Sequence, residues 1–258
     1  MPLRRIIGQP RAMALTTRSP NAVASGPATP GASVDVWTIS LNLPLEAIDA
    51  AKPLLSGEER TRIDAFRNEQ ARRNYIISHA ALRKILADRL KVSSAEIGFQ
   101  TGTYGKPALT GTSEGRLEFN LTHSGDVALV AVTSGSEVGI DVETIRAMPD
   151  AVRIAERFFS AAESDALRQL PEAEQATAFL NLWTRKESLT KGTGLGIANF
   201  LARFEVTSGA EARVKTIDGD ARLAAQWTLH SFQPAPGYLA AVAVRSPGAH
   251  FVFHAFDF

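Results

Sequence analysis

Apolar and polar residues alternate over residues 34–41, the period-two pattern of a strand with one face on a core. Ser56 followed by Glu59 then has the spacing of a capping box and predicts the start of a helix. A longer helix follows, in which Tyr75, His79, Leu82, Leu86 and Leu90 recur at steps of four, three, four and four, so one stripe faces a core. Beyond Gly98 the chain breaks into short segments separated by Gly, Pro and Thr. Two strand-like apolar runs, residues 127–132 and 138–142, come next, and the Ser-Gly-Ser between them predicts a hairpin.

The same order then returns. Ser160 and Glu163 form a second capping box, a helix is expected from about residue 174 to 191, and a late hairpin closes the chain. Residues 125–132 read GDVALVAV and residues 237–244 read GYLAAVAV, an offset of 112 against 104 between the capping boxes. The chain therefore reads as an internal duplication with an α+β fold: one half over residues 34–136, a similar half over 137–258. Residues 1–33, rich in Pro, Ala, Ser, Thr and Gly with no acidic side chain, read as a flexible tail. A cleft between two such halves is where a ligand is expected.

Composition narrows the chemistry. With 258 residues, 45% hydrophobic, and 28 Lys plus Arg against 27 Asp plus Glu, the chain has globular proportions, which excludes collagen-like and wholly disordered classes. The absence of cysteine removes thiolate nucleophiles, disulfides and cysteine zinc sites, so any metal must sit on oxygen or imidazole. No apolar run reaches the roughly 20 residues of a membrane helix, and no secretory signal is evident, so a cytoplasmic protein without membrane contact is expected. The net charge of +1 hides nine basic and three acidic residues over positions 60–91. That surplus suits a phosphate ligand; without interleaved aromatic residues it does not argue for nucleic acid.

Asp141 and Glu143 lie two apart in a strand whose other face carries Ile140 and Val142, so both carboxylates project to one side. Their repulsion calls for a cation, such as a divalent metal, unless the face is simply solvated. Glu187 and Lys191 extend the helical stripe of Leu180 and Trp183. Alone they could form an ordinary i,i+4 salt bridge, but the Gly-rich stretch over residues 191–197 allows close approach to a ligand. It lacks the pattern of a P-loop.

VGIDVE at residues 138–143, FFSAAE at 158–163 and WTRKESLTKGTGLGI at 183–197 follow in this order. Upstream stand LLSGEERTR at 54–62, Tyr104-Gly105-Lys106-Pro107, and Asn120-Leu121-Thr122-His123-Ser124-Gly125. Together these resemble the 4'-phosphopantetheinyl transferase superfamily, in its larger surfactin-synthetase type. The resemblance implies a monomeric pseudo-dimer of two α+β halves. It also implies magnesium-dependent transfer of the phosphopantetheine arm of coenzyme A to a serine of an apo acyl or peptidyl carrier protein, with release of adenosine 3',5'-bisphosphate; manganese is an alternative ion. The carrier would belong to fatty acid, polyketide or nonribosomal peptide synthesis, or to an aminoadipate-type reductase.

By the same resemblance Asp141, Glu143 and Glu187 hold the metal, Glu143 directly or through water. Glu187 is a candidate for taking the serine proton, and Lys191 meets the pyrophosphate and the leaving bisphosphate. Thr122, standing where the family usually has serine, and His123 contact coenzyme phosphates. Lys106 and Pro107 match the adenine-binding segment, Arg62 and Arg73 the basic positions for the 3'-phosphate, and Lys186 is a further phosphate candidate. Glu59 departs from the pattern, since some relatives carry lysine there. Glu163 is explained by its capping box. Two other readings compete: a different metal-dependent phosphoryl or phosphodiester enzyme, which has no use for the YGKP and NLTHSG segments, and a binding module that has lost catalysis.

Overall fold

Two stretches of the chain build the same succession of elements in the computed structural model, which describes residues 31–102, 105–194 and 201–258. The first runs β1 (Ser33–Ser40), α1 (Leu45–Ala51), α2 (Gly57–Asp64), α3 (Glu69–Leu90), β2 (Phe99–Thr101), β3 (Pro107–Leu109), β4 (Glu118–Ser124) and β5 (Val127–Thr133). The second runs β6 (Val138–Thr144), α4 (Ala151–Phe158), α5 (Ala161–Arg168), α6 (Glu172–Thr193), β7 (Phe204–Val206), β8 (Val214–Ile217), α7 (Ala221–Ala224), β9 (Thr228–Phe232) and β10 (Tyr238–Val244), and β11 (His250–Phe256) ends the fold. Of the expected tail over residues 1–33, residues 1–30 lie outside the described residues. From Gly31 the chain is tied down: the Gly31 N–H donates to the Pro247 carbonyl and the Ala32 N–H to the Ser246 hydroxyl, both at 2.9 Å.

Strand order repeats with the elements. One sheet runs β11-β1-β5-β4 and the other β6-β10-β9, so in each the last strand of the repeat takes the centre. Both α2 and α5 start on true capping boxes. Ser56 and Ser160 accept from the backbone of Glu59 and Glu163, and those carboxylates accept back from the serine N–H groups at 2.8 and 2.9 Å.

Burial explains why the central strands read as unbroken apolar runs. Ala128, Val130 and Val132 of β5 face the core under α3, while Val127, Leu129 and Ala131 face the other half. In β10, Leu239, Ala241 and Ala243 join the second core, and Ala240, Val242 and Val244 join the core shared between the sheets. A strand covered on both faces has no polar side to reveal its period.

Two predicted pairings are overturned. The apolar runs now seen as β5 and β6 are not a hairpin: β5 pairs with β1 and β4, whereas β6 crosses to the second sheet and pairs with β10. The late hairpin is β9 with β10, and β11 returns to the first half to lie parallel to β1. Apolar pattern reveals that a segment is a strand but not its partner, because neighbours are chosen by which faces must be covered. Among the described residues no helix is long and apolar enough to cross a membrane.

α6 runs two residues past its expected end at Lys191 and closes on a glycine cap. α6 continues through Gly192 and ends at Thr193, with Gly194 in the left-handed region at φ 67°. Gly192 is instead a point of close packing, since a Cβ there would fall 2.8 Å from the Trp227 ring. Leu195, Gly196 and Ile197 of the expected loop, and Tyr104 of the YGKP segment, lie outside the described residues.

Candidate active site

Strand β6 carries Val138, Ile140 and Val142 into the core between the sheets, which turns Asp141 and Glu143 toward the α6 side. On α6, Glu187 and Lys191 stand one turn apart and project to the same place. The Lys191 ammonium donates to Asp141 Oδ1 at 2.6 Å and to Thr122 Oγ1, on β4, at 3.0 Å. Three segments distant in sequence thus meet, one of them from the first half.

Among the described residues two oxygens here have no partner. Asp141 Oδ2 and Glu187 Oε1 are buried and accept no hydrogen bond. Burial and the Asp141 charge push the Glu187 carboxyl up to about 8, and burial followed by the same neighbour raises Glu143. Burial works against the charged Lys191, but the carboxylates of Asp141 and Glu187 outweigh it and hold its pKa above the usual lysine range. Paired buried carboxylates with unused oxygens are what a hard divalent cation requires. Glu143 is differently placed, since Arg146 Nη1 holds its Oε2 at 2.9 Å. Among the described residues no three His, Asp or Glu side chains are already gathered tightly enough to hold a metal ion. The chain's residues fit such an ion best at Asp141 and Glu187, with Glu143 held to one side.

Asp141 and Glu143 face a cleft of about 340 Å³ between the halves, closed on the far side by Asn68, the N-cap of α3, by Asn74 of α3, and by His123 and Ser124. His123 is exposed at its mouth. The β4–β5 turn beneath it is pinned from both halves: Asn74 Nδ2 donates to the Gly125 carbonyl at 3.2 Å, and the Asp126 N–H donates to the Tyr238 hydroxyl at 3.1 Å. Gly125 is required there, with φ at 54° and a Tyr238 hydroxyl that would meet any Cβ at 2.7 Å.

The remaining predicted residues spread out. Arg62 lies over the Tyr75 ring, 5.5 Å from its centroid, and Arg73 donates to Glu69 at 3.1 Å; neither lines the cleft. Pro107 opens β3. The Lys106 ammonium donates to the carbonyls of Val138 and Gly192. Lys186 is a correction: it is wholly buried, and its ammonium meets Glu163 at 2.6 Å and the Phe204 carbonyl, so it is turned into the second core and away from the cleft. On a helix, residues 186 and 187 point about 100° apart, so only one can face the site.

Sequence reasoning missed Arg146, Asn74 and Tyr238. Only Tyr238 had a signal, since the repeat places Gly237-Tyr238 against Gly125-Asp126.

Comparison with known proteins decides the family. Residues 137–243 match the model of the 4'-phosphopantetheinyl transferase superfamily, and residues 44–135 match 4'-phosphopantetheinyl transferase, N-terminal. The chain is 34% identical to 4'-phosphopantetheinyl transferase HetI of Nostoc sp. over 216 residues, 83% of this chain and 89% of the relative. The chain belongs to the 4'-phosphopantetheinyl transferase superfamily. Within it the chain is of the Sfp type: it is 27% identical to 4'-phosphopantetheinyl transferase Sfp of Bacillus subtilis (strain 168) over 82% of this chain and 92% of the relative. It is also 33% identical to 4'-phosphopantetheinyl transferase psf-1 of Bacillus pumilus, over 78% and 84% of the two chains. The two family matches fall in tandem on the two repeats, so the transferase fold is the pseudo-dimer of halves described above.

Proposed function

We propose that this phosphopantetheinyl transferase moves the 4'-phosphopantetheine arm of coenzyme A onto a serine hydroxyl of an apo acyl or peptidyl carrier protein and releases adenosine 3',5'-bisphosphate. The observation that carries the reading is the pair of buried, unpartnered oxygens on Asp141 and Glu187 beside the Lys191 ammonium. They would hold magnesium, or manganese in its place. When bound, the ion supplies charge neutralisation at the pyrophosphate and its transition state.

In the transfer, the serine oxygen forms a bond to the phosphorus on the pantetheine side. The bond from that phosphorus to the bridging oxygen breaks, and the bisphosphate leaves with that oxygen. Glu187, its basicity raised by burial, is the candidate to take the serine proton. Lys191 meets the charge that grows on the leaving bisphosphate, with Thr122 orienting its ammonium. His123 at the cleft mouth contacts the coenzyme phosphates, and Arg62 and Arg73 extend the positive surface toward the 3'-phosphate. Because one chain supplies both walls of the cleft, a monomer suffices.

The test is intact-mass spectrometry of a panel of apo carrier proteins incubated with the enzyme, coenzyme A and magnesium. A gain equal to the arm, lost with Asp141→Ala or with chelator, is expected. Absence of any gain together with absence of coenzyme binding would overturn the reading.

A further inference from the structure

We propose that Lys106 is a positioning residue, which fixes the crossing of β6 and α6 and so the spacing of Asp141 from Glu187, in place of gripping the coenzyme. This rests on the reading that those two carboxylates take a divalent cation.

The crossing is unusually close. A Cβ on Gly139 would fall 2.1 Å from the Ser188 carbonyl oxygen and 2.2 Å from the Gly192 nitrogen, so strand and helix meet backbone to backbone. Lys106, from the turn into β3 of the first half, reaches this point: its ammonium donates to the carbonyl of Val138, next to Gly139, at 3.1 Å and to that of Gly192 at 3.0 Å. One cation thereby ties together the first residue of β6 and the last turn of α6. Gly192 belongs to that last turn, where helix carbonyls lack intrahelical partners and cations are favoured.

The lever to the site is short. Asp141 lies two residues along β6 from Gly139, about 7 Å at the rise of a strand, and Lys191 and Glu187 lie one and five residues back along α6. Removing the donors frees the two backbones to slide, and the cation site is the first geometry to suffer. A residue turned to two backbone carbonyls is also poorly free to turn to a phosphate.

The full-length protein should be examined as wild type, Lys106→Met, which keeps the stem and loses the donors, and Lys106→Arg, which keeps donors. Manganese binding is read by electron paramagnetic resonance, and coenzyme A binding by calorimetry in the presence of chelator. Expected for Lys106→Met is at least a tenfold loss of manganese affinity with metal-free coenzyme affinity within twofold of wild type; Lys106→Arg recovers part of the loss. Weakened metal-free coenzyme binding with unchanged manganese affinity would make Lys106 a ligand contact and overturn the proposal. Should Lys106→Met fail to fold by circular dichroism, Lys106→Gln, with an uncharged amide donor on a shorter stem, is read in the same way for an intermediate loss. A wild type that binds coenzyme but no manganese would instead overturn the carboxylate reading, and the clamp's purpose with it.

Discussion

Lys186 gives its ammonium to Glu163 at 2.6 Å, with both side chains out of reach of solvent. Glu163 is also the glutamate of the α5 capping box and accepts the Val206 N–H, so one carboxylate ties α5, α6 and β7. The first half repeats the device: Glu59 caps α2 and takes the Arg83 guanidinium from α3. The two cations lie at 24 and 23 residues from their glutamates, each on a 22-residue helix. The place where some relatives were expected to carry a phosphate-binding lysine is therefore filled by the structural acid of the first repeat.

Breaking such a pair leaves a buried charge without its partner. Lys186→Met should destabilise the protein by about 3–5 kcal/mol in urea titration. Metal-free coenzyme affinity of the folded fraction should stay unchanged. A stable variant with weakened coenzyme binding would return Lys186 to the site.

The Glu59 pair makes stability depend on acid. Burial alone would raise this carboxyl, but hydrogen bonds from His79 and Ser56 and the charge of Arg83 outweigh it and lower its pKa from 4.5 to about 2. The unfolded chain takes the proton first as pH falls, so the stabilisation is whole above about pH 4.5 and is lost as pH drops toward 2. At neutral pH it is on the order of 3 kcal/mol. Urea midpoints of wild type and Glu59→Gln should lie far apart at pH 7 and converge toward pH 3; a constant gap would refute the ionic origin.

Glu187 has the opposite sign. Its folded pKa of about 8 lies above the ordinary 4.5, so between those values folding costs free energy that grows with pH. Without divalent cations, Glu187→Gln should melt higher than wild type at pH 8, by on the order of 5 °C, with the advantage fading toward pH 4.5. Transfer activity should be lost at the same time. A variant less stable than wild type at pH 8 would show that the carboxylate is not strained in the free protein.

Tyr238 tests the turn that carries His123. Tyr238→Phe removes the acceptor of the Asp126 N–H and should cost about 1 kcal/mol of stability. The looser turn should raise the KM for coenzyme A several-fold while leaving kcat within twofold. Steady-state kinetics with a fixed carrier concentration separates the two; an unchanged KM would mean that Asn74 alone holds the turn.

Much of this molecule is local. Capping boxes at Ser56 and Ser160, the stripe through Leu82 and Leu86, and the shared face of Asp141 and Glu143 follow from helix and strand periods, which depend on near neighbours and so are written in the chain. The duplication was legible for the same reason, since two halves with the same local pattern build the same elements.

Contacts between distant segments were not legible. Periodicity could not say that β6 leaves β5 for β10, that Lys186 turns inward to Glu163 while its neighbour Glu187 turns to Asp141 and Lys191, or that Lys106 reaches carbonyls 32 and 86 residues away. Each of these follows from how two packed halves bury their faces and satisfy their buried polar groups, and that is settled only when the whole chain has closed on itself.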